Sequence, residues 1–394
     1  MSAEVPNVKL PNGAARLLRA AAVAGGVTFL AGLYFAPGRI WPDLLMASYF
    51  LLELSLAGIF FVALQYVAGA GWSVGIRRIP EAMAILLPLG AVGLMLILLF
   101  HPQLYPWVDV SSQSGETGER LEGFKHVWLS LPFFRARAAV YLASWLAFAL
   151  AIVRTSRRQD RDGDPSHTRR NVRLSAGFLA VLAVTLILAS FDWMMSLEPH
   201  WYSTIFGFYD FASLFLGGLA VIILLAAAVE KLAPAEFVLT EEHRHDLGKL
   251  LFAFSTFWGY VWFCQYMLIW YANIPEEASY FVERLRGGWG PLFLLNLLLN
   301  WAVPFLALLP RRSKQTTSVL VKVAVVVVAG RCLDLYLMIL PPFAGPKPVL
   351  GLWEVGLIGG AAALYILIFF RVLRNAPLVP LRDPYLMESL HPSR

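Results

Sequence analysis

The stretch LSAGFLAVLAVTLILASFDWMMSLEPHWYSTIFGFYDFASLFLGGLAVIILLAAAVEKL, residues 174–232, decides the architecture. It holds two apolar blocks, each long enough to cross a hydrocarbon layer of roughly 30 Å as a helix. A short aromatic and proline-bearing break separates them. Neither block alternates apolar and polar faces, so neither a half-buried strand nor a surface helix fits. One carboxylate sits inside each block, Asp192 and Asp210.

Working outward, the same template predicts spans at 15–36, 44–68, 82–100, 138–153, 174–197, 204–229, 250–271, 291–309, 317–338 and 350–372. The chain therefore reads as an all-α polytopic membrane protein of ten transmembrane helices. Composition agrees: 58% of the 394 residues are hydrophobic and 15% charged, against about 45–50% and about 25% in soluble domains. That excludes a soluble two-domain enzyme, a nucleic-acid binder and a disulfide-stapled secreted module. Residues 1–21 lack a short apolar region ending in a small-residue cleavage site, so the first block is expected to stay as a helix.

Lys and Arg gather in the N-terminus, in the connections after even-numbered spans and in the C-terminal tail, most densely over 154–173. The positive-inside rule then places both termini in the cytoplasm. The net charge of +6 follows from these loops without an acidic partner. The segments around Trp201 and Glu276 face the other side, the periplasm if the chain sits in a bacterial inner membrane. The fourth span is short, and Arg137 and Arg154 are expected to snorkel at its rims.

Charges inside spans are costly unless paired or hydrated, so Glu53, Asp192, Asp210, Asp334, Lys322, Arg331 and Glu354 are informative. Glu53 lies roughly 13 Å inside the outer boundary at 1.5 Å per residue. Asp192 precedes Pro199 by the same seven residues that separate Asp334 from Pro341, and FLLELSLAG can be laid on GFYDFASLF to match Glu53 with Asp210. The expectation is two parallel repeats, spans two to five and six to nine, forming two four-helix bundles flanked by spans one and ten. The chain then divides at 1–43, 44–200, 201–342 and 343–394. Each bundle would hold a carboxylate pair, Glu53 with Asp192 and Asp210 with Asp334, suited to a proton relay. A static ion pair is the competing reading, best founded for Arg331 and Asp334 at i,i+3. Glu53 has no base near it in sequence, which favours a functional or water-lined role.

Absent motifs narrow the chemistry. The two cysteines, Cys264 and Cys332, are far apart; no haem-attachment motif, Walker loop or metalloprotease spacing occurs. The histidines lie in loops or at span edges, so neither haem, iron–sulfur nor any other metal is expected on this chain. Asn296, Asn300 and Pro304 predict interhelical hydrogen bonding and a kink, and the glycines of 351–360 predict close helix packing.

Three segments carry a resemblance: FDWMMSLEPHWYSTIFGFYDFAS (191–213), HDLGKLLFAFSTFWGYVWFCQYMLIWYANIPEEASYF (245–281) and RCLDLYLMILP (331–341). They resemble the ActF membrane subunits of bacterial alternative complex III, a quinol:cytochrome c oxidoreductase, which are similar to NrfD/PsrC-type proteins. The resemblance implies a cofactor-free subunit with a structural and proton-translocating role. It implies as partners a sister NrfD-like quinol-binding subunit, multihaem cytochrome c and iron–sulfur periplasmic subunits, and a terminal oxidase as a further candidate, with haem c, clusters and quinol held elsewhere in the complex. Glu198, Trp201, Asn273, Glu276 and Glu277 are then a candidate periplasmic docking face, or interfacial anchors. His200 is a candidate exit-side proton carrier, and Gln265, Tyr260 and Tyr266 are candidates to line a path. Two further readings stay open: a subunit that binds quinol itself, and a secondary transporter.

Overall fold

The computed structural model describes residues 8–108 and 123–390, and every regular element among them is a helix. Ten are long: α1 (Asn12–Phe35), α2 (Pro37–Ala68), α3 (Arg78–Phe100), α4 (Leu131–Asp162), α5 (Ser166–Trp193), α6 (Phe206–Leu232), α7 (Glu241–Ala272), α8 (Trp289–Leu308), α9 (Thr317–Ile339) and α10 (Leu352–Leu373). Nine of them, among the described residues, are long and apolar enough to cross a membrane. The exception, α9, has 23 residues but carries Lys322, Arg331 and Asp334. The chain is an all-α, multi-pass membrane protein.

Neighbouring helices pack into two closed rings. In the first, α2 meets α3 and α5, and α4 meets α3 and α5; in the second, α6 meets α7 and α9, and α8 meets α7 and α9. The rings touch through α2, α5, α6 and α9, while α10 packs on α1 and α2. Thus α2 is buried along almost its whole length, whereas α1 is largely exposed. Glycine permits the tightest approaches. A Cβ at Gly90 would lie 2.5 Å from the Leu52 nitrogen on α2, and one at Gly360 would lie 2.5 Å from the Gly25 Cα on α1.

Two prolines shape the spans. Pro88 cannot donate to the Ala84 carbonyl, and α3 breaks at Ile85–Leu86. Pro304 likewise cannot donate to the Asn300 carbonyl, and α8 widens there into a π turn over Leu298–Ala302.

Several boundaries differ from expectation. The fourth helix is not short: α4 has 32 residues and runs on through the basic stretch. Residues 154–173, expected to form a loop, are instead the end of α4 and the start of α5, joined by a turn in which Gly163 takes φ 73°. Backbone i→i−4 bonding continues past the hydrocarbon, where hydropathy no longer reports it. Arg137 does not snorkel at a rim; it is 7% exposed and points into the first ring. Residues 37–43, placed with the N-terminal unit, belong to α2, whose start at Pro37 suits a residue with a fixed φ and no N–H. The connection 101–134 is described only in part, because 109–122 lie outside the described residues.

Candidate functional site

A single guanidinium organises the centre of the molecule. Arg331, 2% exposed on α9, lies where the two rings meet. Its Nε donates to Glu53 Oε2 of α2 at 3.0 Å, and its Nη2 to Glu53 Oε1. Nη1 donates to Asp334 Oδ2 at 2.5 Å, and Nη2 reaches Asp210 Oδ1 of α6 at 3.4 Å. All three acids are buried. Gly217 leaves room for the arginine stem, since a Cβ there would sit 3.1 Å from Arg331 Cγ.

Hydroxyl, indole and amide donors complete the acids' shells. Tyr49 donates to Asp210 Oδ2 at 2.5 Å. Tyr209 donates to Asp334, as do Ser213 at 2.9 Å and Asn296 at 2.8 Å. Trp258 Nε1 in turn donates to Ser213 Oγ at 2.8 Å. The site therefore holds three carboxyls against one guanidinium, inside a packed apolar shell where an uncompensated charge is expensive. Among the described residues no three His, Cys, Asp or Glu are placed to hold a metal ion; Arg331 occupies the space between these acids.

Asp192 belongs to a separate centre inside the first ring. Arg137 Nε and Nη2 form a fork onto its two oxygens, each at 2.8 Å. Trp128 Nε1 donates at 2.8 Å and the Tyr141 hydroxyl at 3.2 Å. The Arg137 guanidinium also lies 4.0 Å from the centre of the Trp128 ring. The expected pairing of Glu53 with Asp192 and Asp210 with Asp334 is thus replaced: Glu53, Asp210 and Asp334 share Arg331, while Asp192 is matched one to one with Arg137. The reason is that α2 faces both rings, so Glu53 lies on the junction instead of inside one ring. There it is ion-paired with Arg331.

Above the central cluster a cavity of about 20 Å³ lies between Asp334, Asn296, Gln265, Tyr280 and Arg284, enough for one water. Arg284 comes from a helix at Pro275–Leu285 and donates to Glu198 Oε1 at 2.6 Å, to the Leu337 carbonyl at 2.8 Å and to the Met338 carbonyl at 3.3 Å. Burial pulls the Arg284 guanidinium down, but Tyr280 and Glu198 against it hold it above its usual value. The Tyr280 ring stacks on Trp201, with centres 4.0 Å apart, and Trp201 Nε1 donates to the Glu277 carbonyl at 3.0 Å.

The expected docking face is therefore split. Trp201 is buried and Glu198 is tied to Arg284; both fasten the Pro275–Leu285 helix inward. Asn273, which ends α7 at φ 49°, and Glu276 are exposed, Glu277 is half-buried, and His200 is exposed. Of the suggested path residues, Gln265 lines the cavity, Tyr266 is half-buried beside Phe281, and Tyr260 faces outward.

Sequence reasoning missed a second charged group at the opposite end of the first ring. Arg78 donates to Glu81 at 2.5 Å, to Ser156 at 3.1 Å and to Asp160, and Arg77 donates to Asp383 of the C-terminal tail at 2.5 Å. Ser156 donates to Glu81 Oε1 at 2.6 Å. The RRIPEA run was visible, but it precedes the apolar block that marks the span. The chain matches no protein-family model and no curated protein.

Proposed function

We propose that the chain is a ten-span, cofactor-free subunit of a respiratory quinol:electron-acceptor oxidoreductase of the alternative complex III kind, with a structural and proton-translocating role. In this reading it lies in a bacterial inner membrane with both termini cytoplasmic, and α2–α5 and α6–α9 are two four-helix bundles flanked by α1 and α10. Its sister quinol-binding subunit, multihaem cytochrome and iron–sulfur subunits supply the redox groups. The exposed Asn273 and Glu276 meet the periplasmic partners.

The observation that supports this reading best is the Arg331 cluster. Three carboxyls share one base, so oxygens able to take a proton outnumber the charge that holds them. The water-sized cavity lies between Asp334 and Arg284, Arg284 donates to Glu198, and exposed His200 follows Glu198 by two residues. Proton movement needs exchangeable groups within hydrogen-bond reach, directly or through one water, and the cluster with its cavity supplies the inner part of such a series.

The test is proton release per electron in the assembled complex. Glu53→Gln and Asp334→Asn are expected to lower it with assembly retained, whereas Asp192→Asn leaves it unchanged. Wild-type stoichiometry in assembled Glu53→Gln and Asp334→Asn complexes would reject translocation through this cluster.

A further inference from the structure

The N-terminal end of α1 and the C-terminal end of α10 meet at a cleft of about 560 Å³. Four cations line it: Lys9 and Arg19 from the α1 side, Arg371 and Arg374 from the α10 side. No Asp or Glu among the described residues lines it. All four cations are exposed, and within the described residues none makes an ion pair or a side-chain hydrogen bond. This sets them apart from the buried arginines Arg77, Arg78, Arg137, Arg284 and Arg331, each of which faces a carboxylate. Like charges gathered without a counter-charge repel one another, and an anion placed among them removes that cost. The positive end of the α1 dipole adds to them: Asn12 lines the cleft, no side chain caps the helix, and its first turn holds no acid.

The remaining lining is largely apolar. Val8 and Phe370 are buried, and Leu10, Leu367 and Ile368 are half-buried. Burial of Val8 fixes the backbone that carries Lys9. Toward the middle of the spans the apolar surface continues. Val23 follows Arg19 by four residues and Leu364 precedes Ile368 by four, so each shares a helix face with a lining residue. Val23 is 66% exposed and Leu364 40%. A charged end at the boundary of two spans, followed inward by uncovered apolar side chains, matches a molecule with an anionic head and hydrocarbon chains.

We propose that this cleft binds the phosphate headgroup of an anionic phospholipid, whose acyl chains lie over the exposed apolar surface of α1 and α10. Basic pockets between spans take anionic headgroups through charge-assisted hydrogen bonds to phosphate oxygens. A zwitterionic headgroup brings its own cation into the cluster and gains less. A free phosphate satisfies the cations but leaves the apolar side chains uncovered. The site is independent of the respiratory reading, since no residue of the proposed proton path lines it.

The test titrates the full-length protein, in an uncharged detergent, with phosphatidylglycerol, phosphatidylcholine and inorganic phosphate, and counts bound species by native mass spectrometry. Phosphatidylglycerol is expected to bind about tenfold more tightly than phosphatidylcholine, and each cation removed should weaken it about fivefold. Arg371→Gln combined with Arg374→Gln, and Lys9→Gln combined with Arg19→Gln, therefore lose most of the preference. These side chains are exposed, so the thermal midpoint without lipid should stay close to wild type. Arg311→Gln combined with Arg312→Gln is the control, because these exposed cations of the α8–α9 connection lie outside the cleft. It should bind phosphatidylglycerol as wild type does. Equal affinity for the two lipids, no loss in the cleft variants, or an equal loss in the control would overturn the proposal. Displacement of the lipid by inorganic phosphate at equal concentration would overturn it too, since the cations would then serve a free anion.

Discussion

Asp192 and Asp334 are both buried and each precedes a proline by seven residues, yet the two are held differently. Asp192 meets its own guanidinium in a two-pronged fork, with an indole and a phenol filling the remaining positions. Asp334 shares one guanidinium with Glu53 and Asp210 across the junction of the rings. The first is a closed account of one acid and one base, whose role is to lock α4 to α5. The second has more acids than bases and sits where four helices converge. The same seven-residue spacing to proline thus leads to different centres once the neighbouring helix supplies, or withholds, a second arginine.

Removing the shared base should have the largest effect. Arg331→Met leaves three buried carboxyls without a cation, and breaking one buried pair alone costs about 3–5 kcal/mol. Little monodisperse protein is expected after solubilisation, measured by fluorescence-detected size exclusion. Arg137→Met should be milder, because Asp192 keeps Trp128 and Tyr141 as donors. Equal yields for the two variants would erase the distinction.

Compensated variants sharpen it further. Replacing a matched ion pair by apolar residues of similar volume is often close to neutral. Arg137→Met combined with Asp192→Leu is therefore expected to recover a thermal midpoint near wild type. Arg331→Met combined with Asp334→Leu should not recover, because Glu53 and Asp210 remain without a base. A double-mutant cycle on each pair, read from thermal midpoints, separates these outcomes.

How much of this was legible in the sequence depends on the distance over which each signal acts. The apolar blocks were legible because burial in hydrocarbon is a property of each segment. Arg331 beside Asp334 was legible because three residues along a helix bring side chains to one face. Glu53 and Arg331 are 278 residues apart, and nothing local to FLLELSLAG reports which arginine faces it. Arg137 was misread as a rim residue because its span looked short, although α4 extends well beyond its apolar part. Glu198 and Trp201 show another ambiguity: an acid and an indole beside a proline look alike whether they face a partner or clasp a helix of their own chain.

The smallest expected difference separates the hydrogen-bond shells of the two aspartates. Tyr141→Phe removes one donor at 3.2 Å from Asp192, which retains three others. Ser213→Ala removes a donor from Asp334 and also leaves the buried Trp258 Nε1 without its acceptor. The first loss should be near the low end of about 0.5–1.5 kcal/mol per hydrogen bond, and the second should exceed it by the cost of the orphaned indole, about 1–3 kcal/mol. Bonds in series also polarise one another, so the Trp258–Ser213–Asp334 chain loses more than its separate links. Thermal midpoints of the two single variants check this order. A larger fall for Tyr141→Phe would mean that the one-to-one centre depends on its outermost donor as much as the shared centre depends on its linked pair.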